Sequence, residues 1–104
     1  MKRLSEKFNA IAVKKGELFM LDLDGNVSTG YMWDVKVTAG DATVISRETI
    51  PTNPGKMVIG GGAVERTIFR AEKDGEIEIE AKWQRPWEKS SAPAKQAVFK
   101  ISVK

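Results

Sequence analysis

The sequence predicts an all-β domain, an antiparallel β-sandwich of immunoglobulin-like type with about seven strands. Three observations carry this expectation. Short runs alternate polar and apolar side chains with period two, as half-buried strands do. Gly, Asp, Asn and Pro punctuate those runs at regular intervals. No stretch carries the apolar repeat of an amphipathic helix.

A first strand is expected over residues 8–13, ended by Lys15-Gly16. Residues 18–23 are apolar on both faces, which predicts a central strand closed by Asp24-Gly25-Asn26. Tyr31, Trp33, Val35 and Val37 alternate with Met32, Asp34, Lys36 and Thr38, so this strand buries one face, with Trp33 inward. Gly40-Asp41 breaks it, and residues 42–50 follow with Val44 and Ile45 as an apolar centre. Residues 51–62 hold two of the four prolines and four of the nine glycines, a long loop. Residues 64–71 return to strand, and Lys73-Asp74-Gly75 predicts a tight hairpin into the next. That next run, Glu76-Ile77-Glu78-Ile79-Glu80-Ala81-Lys82-Trp83, is the clearest alternation in the chain, with the three glutamates on one solvated face. A loop from Arg85 to about Lys95 leads to the last strand, centred on residues 99–104.

Composition narrows the function. A chain of 104 residues suits one domain, residues 1–104. Seventeen basic and 14 acidic residues give a net charge of +3, too small an excess to argue for nucleic acid or a membrane surface. The chain has no cysteine and no histidine. This excludes disulfides, Cys/His zinc sites and nucleophile–histidine pairs, so enzyme activity is not expected and no cofactor is implied. The basic start, Met1-Lys2-Arg3, is not followed by an apolar leader core, and no run is long enough to span a bilayer. A mature secreted or vesicular form and a cytoplasmic one both stay open, and a monomer is expected when the protein is free.

Three segments stand out from a plain sandwich. The first loop is Asn26-Val27-Ser28-Thr29-Gly30-Tyr31, the second Met57-Val58-Ile59-Gly60-Gly61-Gly62, and the third Arg85-Pro86-Trp87. Proline fixes its own φ and biases its neighbour towards extended geometry, so the third loop presents a large aromatic on a stiff turn. With strands lettered A to G, these are the B–C, D–E and F–G loops, which leave an immunoglobulin-like sandwich at the same end. The topology therefore gathers them into one composite surface.

These residues resemble the chagasin family of inhibitors of papain-like cysteine peptidases. That family carries Asn-Pro-Thr-Thr-Gly-aromatic in the first loop, Gly-x-Gly-Gly in the second and Arg-Pro-Trp in the third. Here Asn26, Thr29, Gly30 and Tyr31 are in place, followed by Trp33; Gly60, Gly61 and Gly62 are present; Arg85-Pro86-Trp87 is intact. Val27 stands for the usual proline and Ser28 for the first threonine. Ala63 aligns with the last glycine of the second motif, where a positive φ would cost alanine about 1 kcal/mol. A register shifted by one residue puts Ile59 at the first glycine instead.

The resemblance implies a reversible, competitive inhibitor that wedges its three loops into the cleft of a papain-family peptidase, its protein partner. Ser28 and Thr29 would lie nearest the catalytic thiolate, and Gly30 would allow close backbone approach. The glycines of the second loop would let its backbone pair along the non-primed side, with Met57, Val58 or Ile59 filling the apolar pocket. Trp87 would stack on the primed side, and Arg85 would hold the loop or pair with an acidic rim. The ordinary readings are an immunoglobulin-like structural or adhesion module and, more weakly, a carbohydrate-binding sandwich with Trp83 and Trp87 as a stacking platform.

Overall fold

The computed structural model describes residues 1–26, 31–51, 62–85, 87 and 93–104. Eight strands are present among them: β1 (Lys2–Leu4), β2 (Ala10–Val13), β3 (Leu18–Asn26), β4 (Met32–Ala39), β5 (Ala42–Pro51), β6 (Gly62–Ala71), β7 (Gly75–Gln84) and β8 (Lys95–Val103). They form two four-stranded sheets, ordered β1-β3-β6-β5 and β2-β8-β7-β4. The expected sandwich is there, with one more strand than expected. Its sheets are mixed rather than purely antiparallel, because β1 runs parallel to β3 and β2 runs parallel to β8.

Period-two alternation builds the core. Phe19, Leu21 and Leu23 of β3, with Phe69 and Ala71 of β6 in the same sheet, pack with Ile77, Ile79 and Ala81 of β7 and Phe99, Ile101 and Val103 of β8 in the other. Leu4 and Val13 close the N-terminal side. Phe19 and Phe69 are cross-strand partners whose rings stack at 5.4 Å, a pair worth about 1 kcal/mol beyond its buried area. Trp33 is inward and buried, as its strand pattern requires.

Three local expectations change. Asp24-Gly25-Asn26 does not end β3, because Gly25 and Asn26 still pair with Ala63 and Gly62. Val44 and Ile45 are not an apolar centre: they are 48% and 45% exposed. β5 is the outer strand of its sheet, and its ladder shifts register between Val44 and Ser46, which breaks the inward phase there. Finally, the turn before Gly75 is not a hairpin. Both sides of β6 are taken, by β3 and β5, so the chain crosses to the other sheet and β7 pairs with β4 and β8. Gly75 supplies the positive φ of +124° at that crossing.

The outer face of the first sheet carries a row of alternating charge. Asp22, its side chain 11% exposed, takes two hydrogen bonds from Arg66, at 2.9 Å from Nε and 3.0 Å from Nη2. Arg3 of β1 lies 3.6 Å away on its other side. The hydrogen bond to Asp22 raises the Arg66 pKa above its ordinary value, partly offset by desolvation, and the charges of Asp22 and of Glu48 on β5 add attraction.

Candidate functional site

Register fixes where the three loops are rooted. In the first sheet Asn26 pairs with Gly62, and Ala63 pairs with both Gly25 and Pro51. The end of β3, the end of β5 and the start of β6 are therefore side by side. In the second sheet Met32 pairs with Gln84 and Trp83 with Lys95, which brings together the start of β4, the end of β7 and the start of β8. The Trp33 indole N–H donates to the Asp24 carbonyl at 2.9 Å, joining the two groups across the sandwich. All three loops spring from this one end. Among the candidate residues, Asn26, Gly62, Arg85 and Trp87 are described; Val27, Ser28, Thr29, Gly30, Met57, Val58, Ile59, Gly60, Gly61 and Pro86 lie outside the described residues.

Arg85, at the root of the third loop, stands on a column of aromatic rings. Trp33 and Trp83 are directly opposite in the β4–β7 ladder, with ring centroids 5.3 Å apart. Tyr31 stacks on Trp83 at 5.7 Å and 14°. The Arg85 guanidinium lies over the Tyr31 ring, 4.8 Å from its centroid. Such contacts hold a cation about 0.5–1 kcal/mol more firmly at a half-exposed site. The Ala94 N–H donates to the Trp83 carbonyl at 2.9 Å, which pins the return of the chain into β8. Beyond this column Trp87 is 69% exposed. Tyr31 thus packs within the fold, between Trp83 and Arg85. Trp83 is covered by Tyr31 and Trp33, so it does not form a platform with Trp87.

Ala63 is buried within β6. No non-glycine residue among those described has a positive φ, so alanine carries no backbone penalty at this position.

Sequence reasoning missed Glu65. Inward positions of β6 run Ala63, Glu65, Thr67, Phe69, Ala71, so this carboxylate points between the sheets. It accepts a hydrogen bond from the Trp33 main-chain N–H and is attracted by Arg47. Burial nonetheless pushes its pKa above the usual carboxylate range, with those two partners pulling back. Its Oε2 is buried without a hydrogen-bond partner among the described residues, and lies 3.3 Å from where a Cβ on Gly25 would stand. A charged residue on the inward phase of a strand was the available signal.

A family profile described as chagasin family peptidase inhibitor I42 matches residues 12–103, nearly the whole of this architecture. The chain belongs to the chagasin family of peptidase inhibitors. A chagasin-family protein is an inhibitor and not an enzyme, which agrees with a chain lacking both histidine and cysteine. The chain is 24% identical over 100 residues to amoebiasin-2 of Entamoeba histolytica, covering 95% of this chain and 80% of that protein. Among solved structures it is similar to the cysteine protease inhibitor EhICP2 of Entamoeba histolytica, with a TM-score of 0.85 at 22% identity over 99% of this chain and 95% of that one. It is also similar to amebosin (TM-score 0.66, 29% identity, 98% and 94% covered). PbICP-C, solved in complex with falcipain-2, matches with a TM-score of 0.68 at 18% identity, over 99% of this chain and 90% of its own.

Proposed function

We propose that this chagasin-family chain inhibits papain-like cysteine peptidases reversibly and competitively, by lodging its three loops in the active-site cleft. The observation that carries the reading is the gathering of all three loop roots at one end of the sandwich, with Trp87 standing 69% exposed beside them. A large aromatic held clear of its own fold is a binding anchor. Two relatives point the same way: EhICP2 is a cysteine protease inhibitor, and PbICP-C was solved bound to falcipain-2.

The roles follow from chemistry. Ser28 and Thr29 place short hydroxyls at the thiolate, and Gly30 admits the backbone. The second loop, from Met57 to Gly62, pairs along the non-primed side. Trp87 stacks on the primed side, while Arg85, seated on Tyr31, holds that loop rather than reaching for an acidic rim. The chain offers no thiol or imidazole for a covalent adduct, so inhibition is by occlusion. An interface of this kind buries roughly 800 Å² per partner. The fixed roots reduce the entropy lost on binding.

The test is a titration against papain and a cathepsin-L-like peptidase, following hydrolysis of a fluorogenic peptide. Tight competitive inhibition, reversed by dilution with the chain uncut, is expected. No inhibition by micromolar folded protein overturns the reading.

A further inference from the structure

We infer that Glu65 is a positioning residue that latches the strand roots of the first and second loops to each other through the free edge of β4. β4 is the outer strand of its sheet, so main-chain groups on its open side have no strand partner. Two side chains from the opposite sheet close that edge. Glu65 of β6 accepts the Trp33 N–H, and Arg47 of β5 donates to the Val35 carbonyl at 3.3 Å. Glu65 and Arg47 also attract each other, so the closure is one connected unit.

The four strands that meet at this unit are those that root the two loops. β3 enters the first loop and β4 leaves it; β5 enters the second and β6 leaves it. Glu65 is opposite Leu23 of β3 and Thr49 of β5 in the ladders, and its carboxylate reaches β4. Gly25 completes the fit. A methyl group there would stand 3.3 Å from Oε2 and 3.5 Å from Cγ of Glu65, so glycine leaves room for the carboxylate one residue before Asn26. The surrounding crevice, of about 200 Å³, has Arg47, Glu48, Thr49 and Arg66 in its lining.

A half-buried carboxylate with one buried oxygen unpartnered among the described residues is a poor stabiliser of the fold. Its presence is explained by what it holds. With the latch closed, the spacing between the roots of the two loops is set before any peptidase arrives; without it, that spacing must be fixed on binding, which weakens affinity. This consequence for inhibition rests on the three-loop reading above, whereas the latch itself is a property of the free protein.

The experiment pairs two readouts on wild type, Glu65→Ala, Glu65→Gln and Gly25→Ala. One is hydrogen exchange of the Trp33 amide in the free protein, and the other is Ki against papain. Glu65→Ala should expose the Trp33 amide to exchange and raise Ki roughly tenfold, as expected for losing a hydrogen bond to a charged group. Glu65→Gln keeps an acceptor and should leave both readouts near wild type, while Gly25→Ala, which crowds the carboxylate, should shift both in the direction of Glu65→Ala. A Trp33 amide as protected in Glu65→Ala as in wild type overturns the latch. Weakening by Glu65→Gln equal to that by Glu65→Ala overturns the acceptor role. If wild type inhibits no peptidase, the functional reading fails, and the exchange data still decide the latch.

Discussion

Replacing Trp87 by alanine separates a binding anchor from a packing residue. The side chain is 69% exposed, so roughly 150 Å² of it remains to be covered by a partner. At about 25 cal/mol per Å², that cover is worth about 4 kcal/mol. Ordering the side chain at the interface takes back about 1 kcal/mol. Imperfect cover lowers the net to about 2–3 kcal/mol, a rise in Ki on the order of 30- to 150-fold. In the free protein the same change removes little packing, so Tm should move by no more than about 3 °C. Val44 is the control, because it is 48% exposed but sits opposite Phe69, towards the far end of the β5–β6 ladder from the loop roots. Val44→Ala should leave Ki unchanged. The assay is competitive inhibition of papain at fixed substrate, with Tm followed by calorimetry. A fall in Tm of about 8 °C or more with Ki unchanged would refute the reasoning and return Trp87 to the sandwich.

Four further outcomes are expected. Tyr31→Ala removes the stack on Trp83 and the seat of Arg85; stability should fall by about 1–2 kcal/mol and Ki should rise, while Tyr31→Phe keeps both, as denaturant titration with inhibition assays will show. Asp22→Asn weakens a nearly buried bidentate contact with Arg66 and the pull on Arg3; Tm should fall by about 5–10 °C with Ki unchanged. Gly40→Ala places a Cβ 2.3 Å from the Glu76 carbonyl oxygen at a φ of +80°, so the midpoint of urea unfolding should drop by the equivalent of about 2 kcal/mol or more at constant slope. Burial raises the folded pKa of Glu65 above the ordinary carboxylate value, so its folded state holds the proton more tightly than the unfolded chain. The stability this contributes is complete below the unfolded pKa and is lost as pH rises through the folded one. Wild type should therefore lose stability relative to Glu65→Gln as pH rises from about 4 towards 7. Arg47, Glu48 and Arg66 are the ionisable neighbours, and β3 and β4 add none to the crevice. Parallel pH–stability curves for the two proteins would contradict this.

Much of this was legible along the chain. The Glu76 to Trp83 alternation reads directly as β7, and Trp33 as a core residue, because one buried face imposes period two. The common origin of the three loops follows from strand order alone. What stayed hidden depends on partners that local pattern does not name. Lys2-Arg3-Leu4 has no strand signature, yet Leu4 is fully buried, since β3 offers an edge to pair with. Asp74-Gly75 announces a reversal but not which sheet receives it. Val44 and Ile45 are apolar, but the register shift in β5 turns them to water. Glu65 looks like one more surface charge until its place in the β3–β6 ladder is known.

The parallel pairing of β2 with β8 has a further consequence, for the order of folding. Ala10 is joined to Lys100 and Val13 to Val103, so β2 is completed by a strand that lies far along the chain from it. A nascent chain therefore leaves β2 without its sheet partner until β8 has been made. Contacts so distant in sequence must be closed against the entropy of the whole intervening chain, which places folding in the millisecond-to-second range rather than among fast helical domains. During that interval the alternating apolar face of β7 has only one finished neighbour. Its glutamates, spaced every second residue, then keep the half-built sheet from pairing with another copy.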